Sequence, residues 1–399
     1  MYLQPRQIQE LKSEVTIHRI LNISPRSTRI NCVLPGHPND TSRDMYVDPS
    51  GYYFYCHKCK QGGDVIRLVQ LIHNLSRGAA IDYIVTNYSS RNFELESEEL
   101  CERDKILTEV LRFYQDCFNN SIEAQEYVSS RGWSVESFKQ FGGYDSGELL
   151  SKTFNVDVLL KHGLIKNYGS LRNTLERRII FPQYNTVGYL VQLLGRSIDP
   201  VCSAKLIPLP SKNKHIFKFN NYLFNEPILS KDLNYIFICE GQSDTYTLME
   251  LGINAVGLSG NSNLHKHAYK FSHIPNIAIL LDSDEPSQKR LPGETLQLLY
   301  KLKALNSSSK VYIVDLPKLE GVKDVNDLKV KYGLTKKQVS KFKRTPAIDY
   351  LMSIYAKDLD SHVNLLPLLD DTSLPKFSEL SGISIEALQY ARRIVNPIR

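Results

Sequence analysis

No stretch of this chain approaches the roughly 18 uninterrupted apolar residues that a membrane span needs. The opening residues, MYLQPRQIQELKSEV, lack the apolar segment of a secretory leader. No membrane partner is expected, and the protein is expected to stay in the cytoplasm. Cysteine is sparse: there are seven in 399 residues, three near His37 and four scattered at Cys101, Cys117, Cys202 and Cys239. That distribution argues against a disulfide framework and for a reducing compartment with one metal site. The sequence contains no G-x-x-x-x-G-K-[ST] loop, which excludes a P-loop motor, and it has no internal repeat or low-complexity tract.

The composition is that of a folded multidomain protein. Hydrophobic residues make up 42% of the chain, enough for more than one core, and the formal charge of +6 fits a polyanionic partner without singling one out. The expected fold class is multidomain α+β. A small metal-centred module with a linker should occupy residues 1–103. A basic α+β subdomain should follow over 104–230, an α/β subdomain over 231–335, and a mostly helical region over 336–399. The polar, charge-rich stretch SRNFELESEELCERDK (90–105) reads as the linker. In the third segment, NYIFICE, NAVGLSG, NIAILLDSD and KVYIVDLP alternate with helical patterns, as parallel strands with crossover helices do.

Cys32, His37, Cys56 and Cys59 form Cys-x4-His-x18-Cys-x2-Cys, two close pairs separated by enough chain for a hairpin to return. Thiolates and an imidazole at tetrahedral reach are the donors zinc prefers, and the ion should be structural. His57 is a rival fourth ligand. Gly62 and Gly63 follow the second pair, where the backbone is expected to turn tightly. Tyr52, Tyr53, Phe54 and Tyr55 run between the pairs with Arg43 and Lys58 nearby. They could stack on single-stranded bases, or alternate residues could cover the module's own interior.

Acidic residues stand at the ends of the expected parallel strands: Glu240 and Asp244 after IFIC, Asp282 and Asp284 after IAILL, and Asp324, Asn326 and Asp327 after the strand in VYIVDLP. Ligands of α/β sheets bind at that end. So many oxygens in one crevice suit Mg2+ or Mn2+, and two such ions could steady the attacking and leaving oxygens of a phosphoryl transfer.

These motifs together resemble the DnaG-type family of bacterial and bacteriophage replicative DNA primases. That family orders a CHC2-type zinc domain, a catalytic core with a TOPRIM fold, and a helicase-interacting C-terminal domain. The resemblance covers roughly residues 5–330. YVSSRGWSVESFKQFGGYD (127–145) is similar to the opening of the family's core and ERRIIFPQY (176–184) to its basic motif. The first zinc pair is two residues longer than the family's Cys-x2-His, Asn326 stands where a second aspartate is common, and EPSQKR after Asp284 lacks the usual Ala-Gly.

The resemblance implies synthesis of short RNA primers on single-stranded DNA from ribonucleoside triphosphates, with a separate replicative helicase as partner. It implies that Glu240, Asp282 and Asp284 hold catalytic Mg2+ or Mn2+, that Asp244, Asp324 and Asn326 form an outer acidic set, and that Arg177, Arg178, Arg196, Lys205 and Lys218 contact template or nucleotide. The compact chain suggests a phage or mobile-element source. Two other readings share some of these features: a TOPRIM nuclease or topoisomerase, and a non-catalytic zinc-containing DNA-binding mediator. Zinc ahead of the acidic fold, and the lack of a distinct tyrosine motif, argue against the first. The full set of acidic clusters argues against the second.

Overall fold

The computed structural model describes residues 5–37, 42–89, 93–167, 170–210, 217, 219–258, 264–305, 307–356 and 364–395. The chain divides into two compact units, Met1–Glu99 and Leu100–Arg399. Among the described residues no helix is long and apolar enough to cross a membrane.

The first unit is built on a four-stranded antiparallel ribbon, β1 (Arg29–Ile30), β2 (Met45–Val47), β3 (Phe54–Cys56) and β4 (Gln61–Gly63), paired in chain order. Alternation on β3 sends Phe54 and Cys56 inward and leaves Tyr55 half-buried on the other face. Helices Val65–His73 and Arg77–Tyr88 close the core with Val65, Ile66, Leu68, Val69, Ala80, Ile81 and Ile84. Asp64 caps the first of these helices, its carboxylate accepting from the Arg67 amide.

The second unit begins in the helix Phe93–Asn119, which occupies most of the stretch read as a linker. Leu100, Arg103, Leu107, Val110, Tyr114 and Phe118 are buried at helical spacing along it. An arginine at a core position disguises that periodicity. The Arg103 guanidinium is 1% exposed, donates to the carbonyls of Val191 (2.8 Å) and His162 (3.2 Å), and lies over the Phe217 ring.

The helix packs on an antiparallel sheet of order β10-β9-β8-β5, with β5 at Gly143–Asp145, β8 at Arg178–Tyr184, β9 at Leu190–Ser197 and β10 at Leu206–Pro208. A small hairpin, β6 (Ile165–Asn167) and β7 (Leu171–Asn173), lies between β5 and β8 in the chain. The Asp145 carboxylate is buried among donors: the Tyr114 hydroxyl (3.0 Å), the Asn173 amide (2.9 Å) and the Gly147 N–H (3.1 Å). Burial outweighs these and pushes its pKa up to about 6. A raised carboxyl is favoured in its protonated form by folding. Its contribution is therefore complete below the ordinary value of 3.8 and is lost as pH rises through about 6. Urea titrations between pH 4 and 6.5 should show Asp145→Asn flattening this fall, which amounts to about 3 kcal/mol at most.

The second sheet has the order β11-β13-β12-β14-β15-β16. β12 (Tyr235–Cys239), β13 (Ala255–Leu258), β14 (Asn276–Leu280) and β15 (Lys310–Val314) are parallel, as the alternating pattern predicts. Ile236, Ile238, Ile277, Ile279, Val311 and Ile313 face the helix Glu285–Ala304, while Phe237, Cys239, Ala278 and Leu280 share a core with Leu248 and Leu328 of two other helices. Both edges are antiparallel and arise outside 231–335: β11 is Leu223–Phe224 and β16 is Arg344–Pro346. Two or three residues without an apolar run carry no period for the sequence to display. The helices beyond, Ala347–Tyr355, Leu374–Ser381 and Ile385–Val395, bury Leu351, Met352, Phe377 and Leu388 in a satellite core that includes Leu296 and Leu299.

An ion pair at the junction of the two sheets is almost wholly buried. Lys270 Nζ lies 2.5 Å from Glu226 Oε2, with side chains 4% and 2% exposed, and Glu226 also accepts from the Thr186 hydroxyl and the Leu223 amide. Lys270→Met leaves a carboxylate buried without its cation. Chemical denaturation should show a loss of about 3–5 kcal/mol.

Candidate functional site: a thiolate cluster and an acidic crevice

In the first unit, one ligand atom from each of Cys32, His37, Cys56 and Cys59 lies within 4.8 Å of all the others, so the four could hold a metal ion. A tetrahedral ion about 2.3 Å from each sulfur requires sulfurs roughly 3.8 Å apart. Cys32 Sγ and Cys59 Sγ are 3.8 Å apart, and His37 Nδ1 is 2.9 Å from Cys59 Sγ and 3.6 Å from Cys56 Sγ. Backbone amides of Leu34 and Cys59 point at Cys32 and Cys56 sulfurs, and the Asp44 carboxylate lies 3.7 Å behind His37 Nε2, where it can orient the ring.

The cluster forms with His37; the His57 ring instead stands edge-on to Tyr55. In the tight turn of the second knuckle Lys60 takes a left-handed φ of 53° and Gly63 a φ of 153°. Gly62 is required for space, since a Cβ there would come within 2.6 Å of the Phe54 carbonyl and 2.8 Å of the Tyr55 ring. Of the aromatic run only Phe54 lies in the core, while Tyr53 and Tyr55 are half-buried and Tyr52, which precedes β3, is exposed.

In the second unit the acidic residues gather at the carboxyl ends of β12, β14 and β15. Glu240 follows β12 directly, and Asp244 lies in the first turn of the helix Gln242–Glu250. Asp282 follows β14, Asp284 caps the helix Glu285–Ala304, and Asp324 caps the helix Val325–Tyr332. Burial raises the carboxyl pKa of Asp282, and the charges of Asp244, Glu240, Asp324 and Asp284 raise it further; Asp244 is raised by burial and then by Asp324, and Asp324 by burial. Asp284 moves the other way, held low by its hydrogen bonds from Ser287.

Among the described residues, only the thiolate cluster brings three or more ligand atoms within 4.8 Å. The carboxylates at the strand ends are set wider than this. Carboxylates with raised pKa values, facing each other at strand ends, fit divalent cations with oxygen ligands.

Asn326 is fully buried. Its backbone N–H donates to Asp244 Oδ1 (3.0 Å), and its side-chain amide donates to the Arg131 carbonyl and the Thr247 hydroxyl. It thus gives Asp244 a main-chain donor, while its side-chain Oδ1 is buried without a hydrogen-bond partner in the fold. Trp133 Nε1 donates to the same Thr247 hydroxyl, within an aromatic cluster of Phe138, Phe181 and Tyr246. This scaffold fixes Arg131, whose charge acts on Asp244 and Asp324. Arg131 is a residue that the sequence reading passed over. Its signal was the YVSSRGW motif itself.

Of the basic residues singled out, Arg196 faces the acidic set: it donates from Nε to the Tyr127 hydroxyl (2.9 Å), and its charge lowers the Asp244 pKa. Arg178 spends its guanidinium on the Ala204 carbonyl (2.8 Å) and the Cys202 sulfur, holding the turn that leads to Lys205, which is exposed. Arg177 sits at φ 55° and pairs with Glu123 at the surface. Lys218 lies outside the described residues.

A small ribbon with a four-residue candidate metal site, an antiparallel sheet and a parallel sheet with acidic strand ends make up the described fold, an arrangement similar to that of the zinc-binding and core domains of DnaG-type primases. Residues 113–228 match the family "DNA primase catalytic core, N-terminal domain". The chain is a relative of the bacterial DnaG-type primases. It is 29% identical over 330 residues to the DNA primase of Aquifex aeolicus, covering 78% of this chain and 64% of that protein. It is 26% identical over 303 residues to that of Thermotoga maritima, covering 70% and 53%. The chain thus spans between about half and just under two thirds of these curated relatives. The fold matches the crystal structure of the zinc-binding and RNA polymerase domains of the Aquifex aeolicus primase, with a TM-score of 0.59 and 23% identity over 98% of this chain and 100% of that one.

Proposed function

We propose that the protein is a DNA primase, a DNA-directed RNA polymerase that makes short RNA primers on single-stranded DNA for replication. The observation that carries this reading is the acidic crevice at the strand ends, faced by Arg131 and Arg196 and joined in one chain to a thiolate cluster suited to zinc. A solved DnaG catalytic domain of similar fold, with a TM-score of 0.57, is described as bound to single-stranded DNA. That supports a template as the polyanion for this chain.

In this reading Cys32, His37, Cys56 and Cys59 hold a structural zinc ion. Glu240, Asp282 and Asp284, with Asp244 and Asp324 behind them, hold Mg2+ or Mn2+, which would supply charge neutralisation for transfer of a nucleotidyl group to a 3′ hydroxyl with loss of pyrophosphate. Arg131 and Arg196 attract and orient the phosphates of template or nucleoside triphosphate, and Lys205 and Lys218 add cationic contacts along the same path. Exposed Arg177 adds a further cationic contact, whereas Arg178 acts mainly by holding the turn that leads to Lys205. Tyr52, Tyr53 and Tyr55 offer ring faces to unstacked bases.

The test is incubation with single-stranded DNA of varied sequence, four ribonucleotides and Mg2+ or Mn2+, following labelled RNA and pyrophosphate. Template-dependent short RNA is expected. DNA cutting or binding with no RNA, even when a replicative helicase is added, would reassign the crevice.

A separate helicase is the proposed partner of the C-terminal helices. Deleting 336–399 is unsuitable as its test, because it removes β16 and buried Val339, Phe342 and Ala347. Deleting 364–399 spares every strand. That variant is expected to retain primer synthesis on naked single strands and to lose helicase stimulation.

A further inference from the structure

Two side chains from the first turns of the helix after Asp284 touch Glu240 where the helix meets the crevice. Ser287 is 1% exposed; its hydroxyl donates to Glu240 Oε2 at 2.6 Å, while its N–H donates to Asp284 Oδ1 at 2.9 Å. Ser287 therefore ties together two carboxylates assigned to the cation site. One turn on, Arg290 anchors its Nε on the Pro286 carbonyl at 3.1 Å. It also directs Nη2 to Glu240 Oε1 and to the Ser287 hydroxyl, both at 3.4 Å. Both oxygens of Glu240 thus have protein donors, and one of the donors carries a full charge. Arg290 itself reaches one Glu240 oxygen and both side chains are about a third exposed; what sets the pair apart is that the Ser287 hydroxyl takes the other oxygen and touches Arg290 as well. Here the pair closes over a carboxylate whose neighbours already repel one another.

We propose that Arg290, seated by Ser287, is a built-in counter-ion for Glu240 that keeps the crevice from holding a divalent cation firmly until a nucleoside triphosphate brings one in. This rests on reading the acidic crevice as the cation site. The guanidinium and a metal ion draw on the same carboxylate oxygen and repel one another, so each weakens the other's hold. Arriving with a triphosphate, the ion gains phosphate oxygens as further ligands, and the displaced guanidinium gains an anion to face. Arg290 is in this sense a positioning residue, setting the order in which ion and nucleotide load.

The test measures Mn2+ binding to the full-length, zinc-loaded protein by calorimetry and by electron paramagnetic resonance, first without nucleotide. Removing one unit charge beside the ion is expected to tighten Mn2+ binding on the order of tenfold in Arg290→Gln. Arg290→Lys should stay near wild type because the charge remains, a rescue that a merely structural role does not give. Adding a nucleoside triphosphate should narrow the gap between Arg290→Gln and wild type. Asp282→Asn combined with Arg290→Gln should lose the tight site.

Equal Mn2+ affinity in wild type and Arg290→Gln, with Asp282→Asn still weakening both, overturns the counter-ion while leaving the cation site standing. A gap that nucleotide does not narrow overturns the ordered loading. Mn2+ affinity indifferent to Asp282→Asn in every background removes the cation site and the counter-ion together.

Discussion

Asp282→Asn is expected to lower template-directed RNA synthesis on the order of 10³-fold and, without divalent cations, to make the protein more stable. Asp282 lies just past the end of β14, where burial and four neighbouring carboxylates all disfavour its charge. An ion needs that charge and the empty fold does not, so the two effects have opposite signs. Relief of the repulsion should raise the melting temperature of the metal-free protein by a few degrees, corresponding to roughly 1 kcal/mol. Added Mg2+ should stabilise wild type more than the variant, since only a state that binds the ion gains from it. Loss of activity with a lowered melting temperature in both conditions would mean that Asp282 serves the fold instead.

Cys56→Ser, or a chelator strong enough to strip zinc, is expected to unfold the first unit while leaving the second intact. Cys56 is fully buried on β3, and the ribbon strands around the cluster are two or three residues each, too short to persist alone. Structural zinc in small modules supplies about 10 kcal/mol or more of folding free energy. Limited proteolysis should cut within residues 5–89 and spare the fragment from Leu100 onward. New primer starts should fall sharply, whereas extension of an RNA primer already annealed to template should survive, because the acidic crevice belongs to the other unit. Equal loss of both reactions would show that the ribbon also serves elongation.

The Cys/His quartet that the fold brings together was legible from its two close pairs, and Glu240 and Asp282 from standing directly after strong apolar runs. IFIC, IAILL and VYIV mark parallel strands by composition, and Glu240 and Asp282 follow the first two directly; after VYIV the adjacent Asp315 pairs with Lys343, and the acidic set is joined only by Asp324, which caps the helix beyond. The helix Phe93–Asn119 was not legible in full. Its core position 103 is an arginine satisfied by two carbonyls that the chain supplies 59 and 88 residues later.

The role of Arg178 was hidden for a related reason. An arginine beside an apolar strand reads the same whether its fork faces solvent or its own backbone, and here Cys202 and Ala204 occupy it. Arg131 and the donors on Glu240 depend on turns and helix starts converging from distant parts of the sequence. No local period announces them.

The outer strands of the acidic sheet bear on how such a protein could be taken apart and reassembled. With β11 arriving from Leu223–Phe224 and β16 from Arg344–Pro346, and with Lys270 answering Glu226 across the junction, the acidic fold is not a cassette that can be lifted out at 231 and 335. A chimera exchanging only that interval would expose β13 and β15 as raw sheet edges and orphan a buried charge. Productive crossovers should fall before residue 219 and after residue 356, so recombination among such proteins would tend to carry the edge strands and the acidic cluster together as one inherited block.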